Sequence, residues 1–464
     1  MNLIFLLSVI MKGIGAVLEV LLQILVTRQI GVSGFGSYSA WINGADLVFW
    51  VCFSGLVKCN TFYLAGGDTT IRGFKKKYVL RYVLPVLAAG AAGVLLVTKS
   101  AVPCVVLLIT ALELLVLDRS STLLARGRAK TSVLGEYVLG RAILVAGVVV
   151  LGWLELLSLY TLLGLYVCQY MAIAVFFTVS CRRDRTERRD ISREVSLKKW
   201  GAYQGSDLMH TMIEQMPVVV QYFFSGAFEA GVVSIVLLVK KLINFISGPT
   251  AKIFLPEFSR LYHEGAHDEI RQSYASIMRI QMLVVGPLAV VLLGFPGVVL
   301  RILASELTGY AELFMICSVI FLLAATLGPC GGILQMTGNE KMDNGCRAAA
   351  LLVMLLTMLL ARQDPYFVLY GLCAQIAVEA VIKYIYVCRW MKQAPVAIGT
   401  YLKWWIVPAA VIAVCYLAGV NDSFLAMAAA AAAVFAAALF GELRREENGI
   451  FKKLKGKLGD KKNG

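Results

Sequence analysis

Long apolar runs separated by short polar breaks fill most of the 464-residue chain. A run of about 17 to 25 residues with few charges is the length of helix that crosses the hydrocarbon core of a bilayer. Fourteen runs qualify. Six precede a long polar break, at 2–27, 36–60, 79–98, 102–118, 132–153 and 156–180. Six follow it, at 201–225, 229–255, 276–296, 310–335, 346–361 and 366–388, and two more lie at 401–420 and 423–440. They are numbered here spans 1 to 14, of which spans 4 and 11 are the shortest. The opening run, MNLIFLLSVIMKGIGAVLEVLLQILV, exceeds a signal-peptide core and lacks a small-x-small cleavage site, so it is expected to persist as span 1.

Composition points the same way. Apolar residues make up 59% of the chain and charged residues 16%, with a mean hydropathy of +0.76. These values predict an all-α polytopic membrane protein of about 14 transmembrane helices. The eleven cysteines sit mostly in apolar runs without CxxC spacing, as small buried hydrophobes rather than a disulfide frame or metal site. The formal charge of +15 raises nucleic acid as a partner, but its placement argues against it. With the N-terminus inside, inner segments carry 33 Lys and Arg and outer loops only Arg28, Lys99, Arg301 and Arg362. That asymmetry is the positive-inside pattern and predicts that both termini are cytoplasmic. The basic tail IFKKLKGKLGDKKNG is then expected to face anionic membrane lipids.

The charged break CRRDRTERRDISREVSLKKW divides the chain. The predicted layout is an N-lobe at 1–180, a basic cytoplasmic linker at 181–200 and a C-lobe at 201–390, followed by spans 13 and 14 within 391–443 and the tail at 444–464. An offset of 195 places Glu19 on Glu214, Gly31 on Gly226, Gly36 on Gly231 and Ser39 on Ser234, and sets Lys12 against Asp207 and Asp46 against Lys241. Polar residues inside spans are rare, so their coincidence suggests two six-helix repeats related by a pseudo-two-fold axis along the membrane normal.

Several motifs carry a resemblance. TRQIGVSGFGSYS follows span 1, LLARGRAKTSVLGEYV joins spans 4 and 5, GPTAKIFLPEFSRLY closes span 8 and GGILQMTGNEK closes span 10. In their order and spacing these resemble the bacterial polysaccharide flippases, the polysaccharide-transporter branch of the multidrug/oligosaccharidyl-lipid/polysaccharide superfamily. Two spans exceed that family's usual twelve, as in its lipid II flippase relatives. The resemblance implies alternating-access translocation of a polyprenyl-pyrophosphate-linked oligosaccharide across the bacterial inner membrane, for surface polysaccharide synthesis. It implies membrane lipids and polysaccharide polymerase machinery as partners, and no cofactor beyond a coupling proton or sodium ion.

Charges deep inside spans cost energy unless they face water or a partner, so these residues are the candidates for chemistry. Asp207, His210 and Glu214 share one face of span 7. Together with Glu19 in span 1 and Asp46 in span 2 they are candidates for ion coupling. Lys12, Arg141 in span 5 and one of Lys240 and Lys241 in span 8 are candidates for the pyrophosphate, because ammonium and guanidinium groups match phosphate oxygens. Together these groups would line a hydrated chamber walled by spans 1, 2, 7 and 8. Structural ion pairs are the competing reading, and Glu379 with Lys383 at i, i+4 fits it well. Gly13 and Gly15 beside Lys12 suit either a bend or close packing.

HEGAH at 263–267 matches the zinc-protease pattern H-E-x-x-H, but Gly265 interrupts it and the only other histidine is His210. It is read as a chance match in a polar loop. Two rivals remain to the flippase reading. One is a multidrug or cation antiporter of the same superfamily, which predicts an acidic cavity. The other is a membrane glycan polymerase or ligase, which needs a larger outer loop than 295–310.

Overall fold

Backbone amides in hydrocarbon find no water, so each apolar run satisfies its hydrogen bonds internally as helix. The structure is a computed structural model that describes residues 3–64, 69–85, 88–89, 102–126, 128–182, 189–192, 195, 197–360 and 366–443. Helix covers every predicted span along most of its length, apart from span 3, of which only 79–85 and 88–89 are described. Among the described residues, nine helical stretches are long and apolar enough to cross a membrane. The chain is an all-α polytopic membrane protein.

Spans 1 and 2 form the helix Leu3–Tyr63, broken at Gly31 by φ 73° and ψ 173°. Spans 7 and 8, Leu197–Ser225 and Ala227–His263, are separated by Gly226 at φ 111°. Left-handed φ is open to glycine at no steric cost. The offset of 195 aligns these two glycines, and both turn the chain. At Gly15 the structure favours packing over bending: a Cβ there would lie 2.7 Å from the carbonyl oxygen of Tyr137.

The two shortest spans are longer than predicted. Span 4 is the helix Val102–Ala125 and span 11 is Glu340–Leu360. Span 10 is interrupted, with Ala311–Thr326 and Cys330–Met336 separated by a turn at Gly328, φ 85°. The connection 295–310 holds a short helix, Pro296–Leu303, and a 3-10 turn, Ser305–Tyr310. His263 ends one helix and His267 begins the next, with Gly265 at φ 70° between them. The two histidines of HEGAH therefore do not share a helical face.

Two compact units emerge among the described residues, one within 3–234 with 360 and 366–368 and one within 235–359 with 369–443. In the first, Phe49, Phe53, Leu56, Tyr78 and Leu114 form a core against which Trp50 and Trp200 pack. The polar linker is pinned there: Thr69–Thr70 pair in parallel with Arg189–Asp190. The Asp190 carboxylate accepts the Gly73 amide at 3.2 Å, the Ser192 amide at 3.0 Å and the Ser192 hydroxyl. These bonds, the Ser192 hydroxyl foremost, hold Asp190 below the usual carboxylate range. In the second unit, spans 13 and 14 pack on span 9 through Val290, Phe295, Cys415, Met427 and Val434. Arg301 ties the connection 295–310 to Asp422 at 2.9 Å. The eleven cysteines are free.

Candidate functional site

Spans 2 and 7 run antiparallel and touch at three levels. The Gln204 amide accepts the Gly55 N–H at 2.7 Å and donates to the carbonyls of Trp50 and Val51. One stretch further along, Gln215 Nε2 donates to Asp46 Oδ2 at 3.4 Å. Beyond that, Trp41 and Tyr222 meet edge to face with ring centroids 6.0 Å apart. Asp46 is thereby held on the seam between the two spans.

Beside this seam lies a cluster of ionisable groups from spans 1, 2, 4 and 5. Span 5 begins with a π-helical stretch, Leu134–Leu139, before the α-helix Gly140–Trp153. Such wide turns recur where a helix must re-aim its side chains. Arg141 follows it directly, and its Nε lies 2.8 Å from Glu19 Oε2. Glu19 also accepts Gln23 Nε2 at 2.9 Å. The side chains are 22% exposed for Glu19 and 33% for Arg141, while Glu19 Oε2, the atom that faces the guanidinium, is buried. Tyr38, Tyr166 and Tyr170 lie within electrostatic range of the guanidinium, and the Tyr38 and Tyr166 hydroxyls bond at 2.7 Å.

Two carboxyls in this cluster escape the sequence reading. Glu113 on span 4 is 5% exposed, its Oε2 has no hydrogen-bond partner among the described residues, and it sits within electrostatic range of Asp46, Glu136 and Arg141. Glu136 accepts the Ser120 hydroxyl at 2.8 Å, and Ser120 in turn bonds Ser132 at 2.7 Å. The signal that finds Glu113 is the one already applied elsewhere: a lone acid well inside an apolar run, here TALELLVL. Two carboxyls, Glu19 and Glu113, thus lie in range of the guanidinium, with Asp46 and Glu136 in range of Glu113, an arrangement that can exchange ion-pair partners and hold protons.

Of the other candidates, His210 is exposed and Glu214 half-buried on one continuous helix, Leu197–Ser225. The side chains of Lys12 and Asp207 lie outside the described residues, as does the basic tail. Lys240, half-buried, and Lys241, exposed, belong to the second unit. Glu379 and Lys383 pair at 2.6 Å, within a larger network. Lys383 also binds Asp343 at 2.6 Å, and Arg347 reaches Asp343 at 3.3 Å. Gln335 and Gln375 donate to Asp343 and Glu379 at 2.8 and 2.7 Å. Asp343 and Lys383 are 1% and 6% exposed, so the centre of this network is buried, while Arg347 and Glu379 at its edge are each 24% exposed.

No protein-family pattern matches the chain, and no curated protein sequence does. Solved structures match it in fold. The lipid II flippase MurJ in an inward closed conformation aligns with TM-score 0.70 at 11% identity, over 96% of this chain and 100% of that one. An inward-facing multidrug resistance MATE transporter of the MOP superfamily aligns with TM-score 0.60 at 12% identity, over 83% and 98%. The MATE multidrug transporter DinF-BH aligns with TM-score 0.56 at 15% identity, over 84% and 95%. The chain shares the overall fold of these solved structures.

Proposed function

We propose that the chain is a flippase that moves a polyprenyl-pyrophosphate-linked oligosaccharide across the bacterial inner membrane by alternating access, with both termini cytoplasmic. One observation carries this reading: the likeness to the lipid II flippase extends over 96% of the chain, whereas the likenesses to multidrug exporters extend over 83–84%. The motif order along spans 1 to 10 narrows the substrate to the lipid-linked glycans of surface polysaccharide synthesis. Arg141 is the group best suited to the pyrophosphate, since its planar fork takes two phosphate oxygens at once. In the structure Glu19 holds that guanidinium through Nε. An arriving pyrophosphate displaces Glu19, and the released carboxyl takes up a coupling proton together with Asp46 and Glu113.

The concentration of carboxyls around Arg141 favours a second reading, a cation or drug antiporter, because cations seek acidic surroundings. Labelling of lipid-linked glycan in cells depleted of the protein separates the two. The flippase reading expects undecorated surfaces and glycan-lipid trapped in the inner leaflet. Normal surface glycan with impaired efflux of a cationic dye supports the antiporter instead.

A further inference from the structure

A groove on the second unit contains two bases that the transport reading does not use. It lies between spans 9, 13 and 14 as a partly open groove with a cavity volume of about 220 Å³. Leu283, Pro408, Val434 and Ala437 form its apolar wall, and Arg279 and Lys403 stand in the same lining. No acid lines it among the described residues. Lys403 lies in the first two turns of the helix Ile398–Leu417, and Gly441, also in the lining, lies in the last turn of Phe424–Leu443. Both bases therefore mark the end of spans 13 and 14 from which the basic tail departs.

Trp404, also in the lining, is the residue type that settles at headgroup depth. Arg279 donates from Nη2 to Ser276 Oγ at 3.1 Å, but its Nε is buried with no partner. A guanidinium, an exposed ammonium and an adjoining apolar channel are complementary to a phosphate that carries a hydrocarbon chain. We propose that this groove binds one anionic glycerophospholipid from the leaflet on the side of the tail. Its phosphate lies between Arg279 and Lys403, and one acyl chain runs along Leu283, Pro408, Val434 and Ala437. The proposal is independent of what the transporter carries.

Native mass spectrometry of the full-length protein in non-ionic detergent tests it, with dioleoyl phosphatidylglycerol, dioleoyl phosphatidylcholine, polyprenyl phosphate and inorganic phosphate as separate arms. One phosphatidylglycerol should be retained on the order of tenfold more tightly than phosphatidylcholine. Arg279→Gln with Lys403→Gln should erase that preference while leaving the tail's looser, multiple lipid adducts. Ala437→Phe should weaken both lipids by filling the channel, and it carries the test if the double variant does not fold. Equal retention of the two lipids overturns the proposal, as does a preference that survives the double variant. Displacement of phosphatidylglycerol by polyprenyl phosphate at equal concentration would assign the groove to a transport substrate and overturn it too. Displacement by inorganic phosphate at comparable concentration would show a bare anion site with no role for the chain, and so also overturn it.

Discussion

Gly36 and Gly231 stand back to back. A Cβ on Gly36 would collide with the backbone of Ala227 and Gly231, and one on Gly231 with the carbonyl of Val32. The two positions are related by the same offset of 195 that relates the turn glycines Gly31 and Gly226. Positions matched by that offset thus meet at one crossing of span 2 with the start of span 8.

This contact allows no side chain on either helix. Gly36→Val or Gly231→Val should force the backbones apart, at about 1–3 kcal/mol for overpacking. The expected result is a lower melting temperature in detergent together with a loss of translocation. Wild-type melting and transport in both variants would show that the crossing relaxes freely.

The Glu19–Arg141 pair yields opposite expectations for its two members. Glu19→Gln removes the competitor for the guanidinium, so the protein should bind a pyrophosphate-bearing lipid more tightly while its dependence on a pH gradient falls. Arg141→Lys keeps the charge but loses the fork, so binding should weaken by about tenfold or more. Titration of binding by each variant, beside transport with and without the gradient, separates these effects. If both variants bind like wild type, Arg141 does not hold the substrate.

The network around Asp343 is a structural prediction. Lys383→Met takes the ammonium from a carboxylate that is 1% exposed and leaves it Arg347 and Gln335, which should destabilise the fold by less than the roughly 3–5 kcal/mol of a fully stranded buried charge. Asp343→Leu in the same chain should recover much of that, because it removes both charges. Thermal melts of the single and double variants give the coupling directly. A double variant as unstable as the single one would mean that packing, not charge, dominates there.

Asp190 clips the linker to the loop after span 2. Its carboxyl is held below the ordinary range in the folded protein, so the clip is at full strength above about pH 4, the ordinary carboxylate value. It weakens only as pH falls through the lowered folded value. Trypsin cleavage at Arg189 should therefore be faster in Asp190→Asn than in the wild type by the same ratio at pH 8 and pH 6, the ratio cancelling the protease's own pH dependence. A ratio that differs between the two pH values would contradict this.

The spans were legible in the sequence because the bilayer requires length and apolarity of every helix. Polar residues inside helices account for the spans whose lengths were underestimated. Span 11 looked short because its first two turns, Glu340 to Arg347, are polar and belong to the network of Asp343 and Arg347. Span 4 looked short because hydropathy stops near Asp118, whereas the helix continues through a polar turn in which Asp118 pairs with Lys75 at 2.6 Å. The pairing of 69–70 with 189–190 joins residues far apart in sequence and leaves no local pattern. Glu19, Asp46 and Arg141 were recognisable as misplaced charges. Their partners Gln215 and Tyr166 are unremarkable residues whose roles come only from packing.

Translocation in proteoliposomes tests the central claim most directly. The purified protein would be reconstituted with a fluorescent polyprenyl-pyrophosphate oligosaccharide, with an acid outer bath imposed and the lipid facing each side assayed by an impermeant glycan-cleaving enzyme. The account predicts protein-dependent movement of the glycan-lipid that Arg141→Lys slows by about tenfold or more and that Glu19→Gln makes indifferent to the gradient. Glycan-lipid that stays in its original leaflet, while the same vesicles exchange protons for a cationic dye, would contradict it.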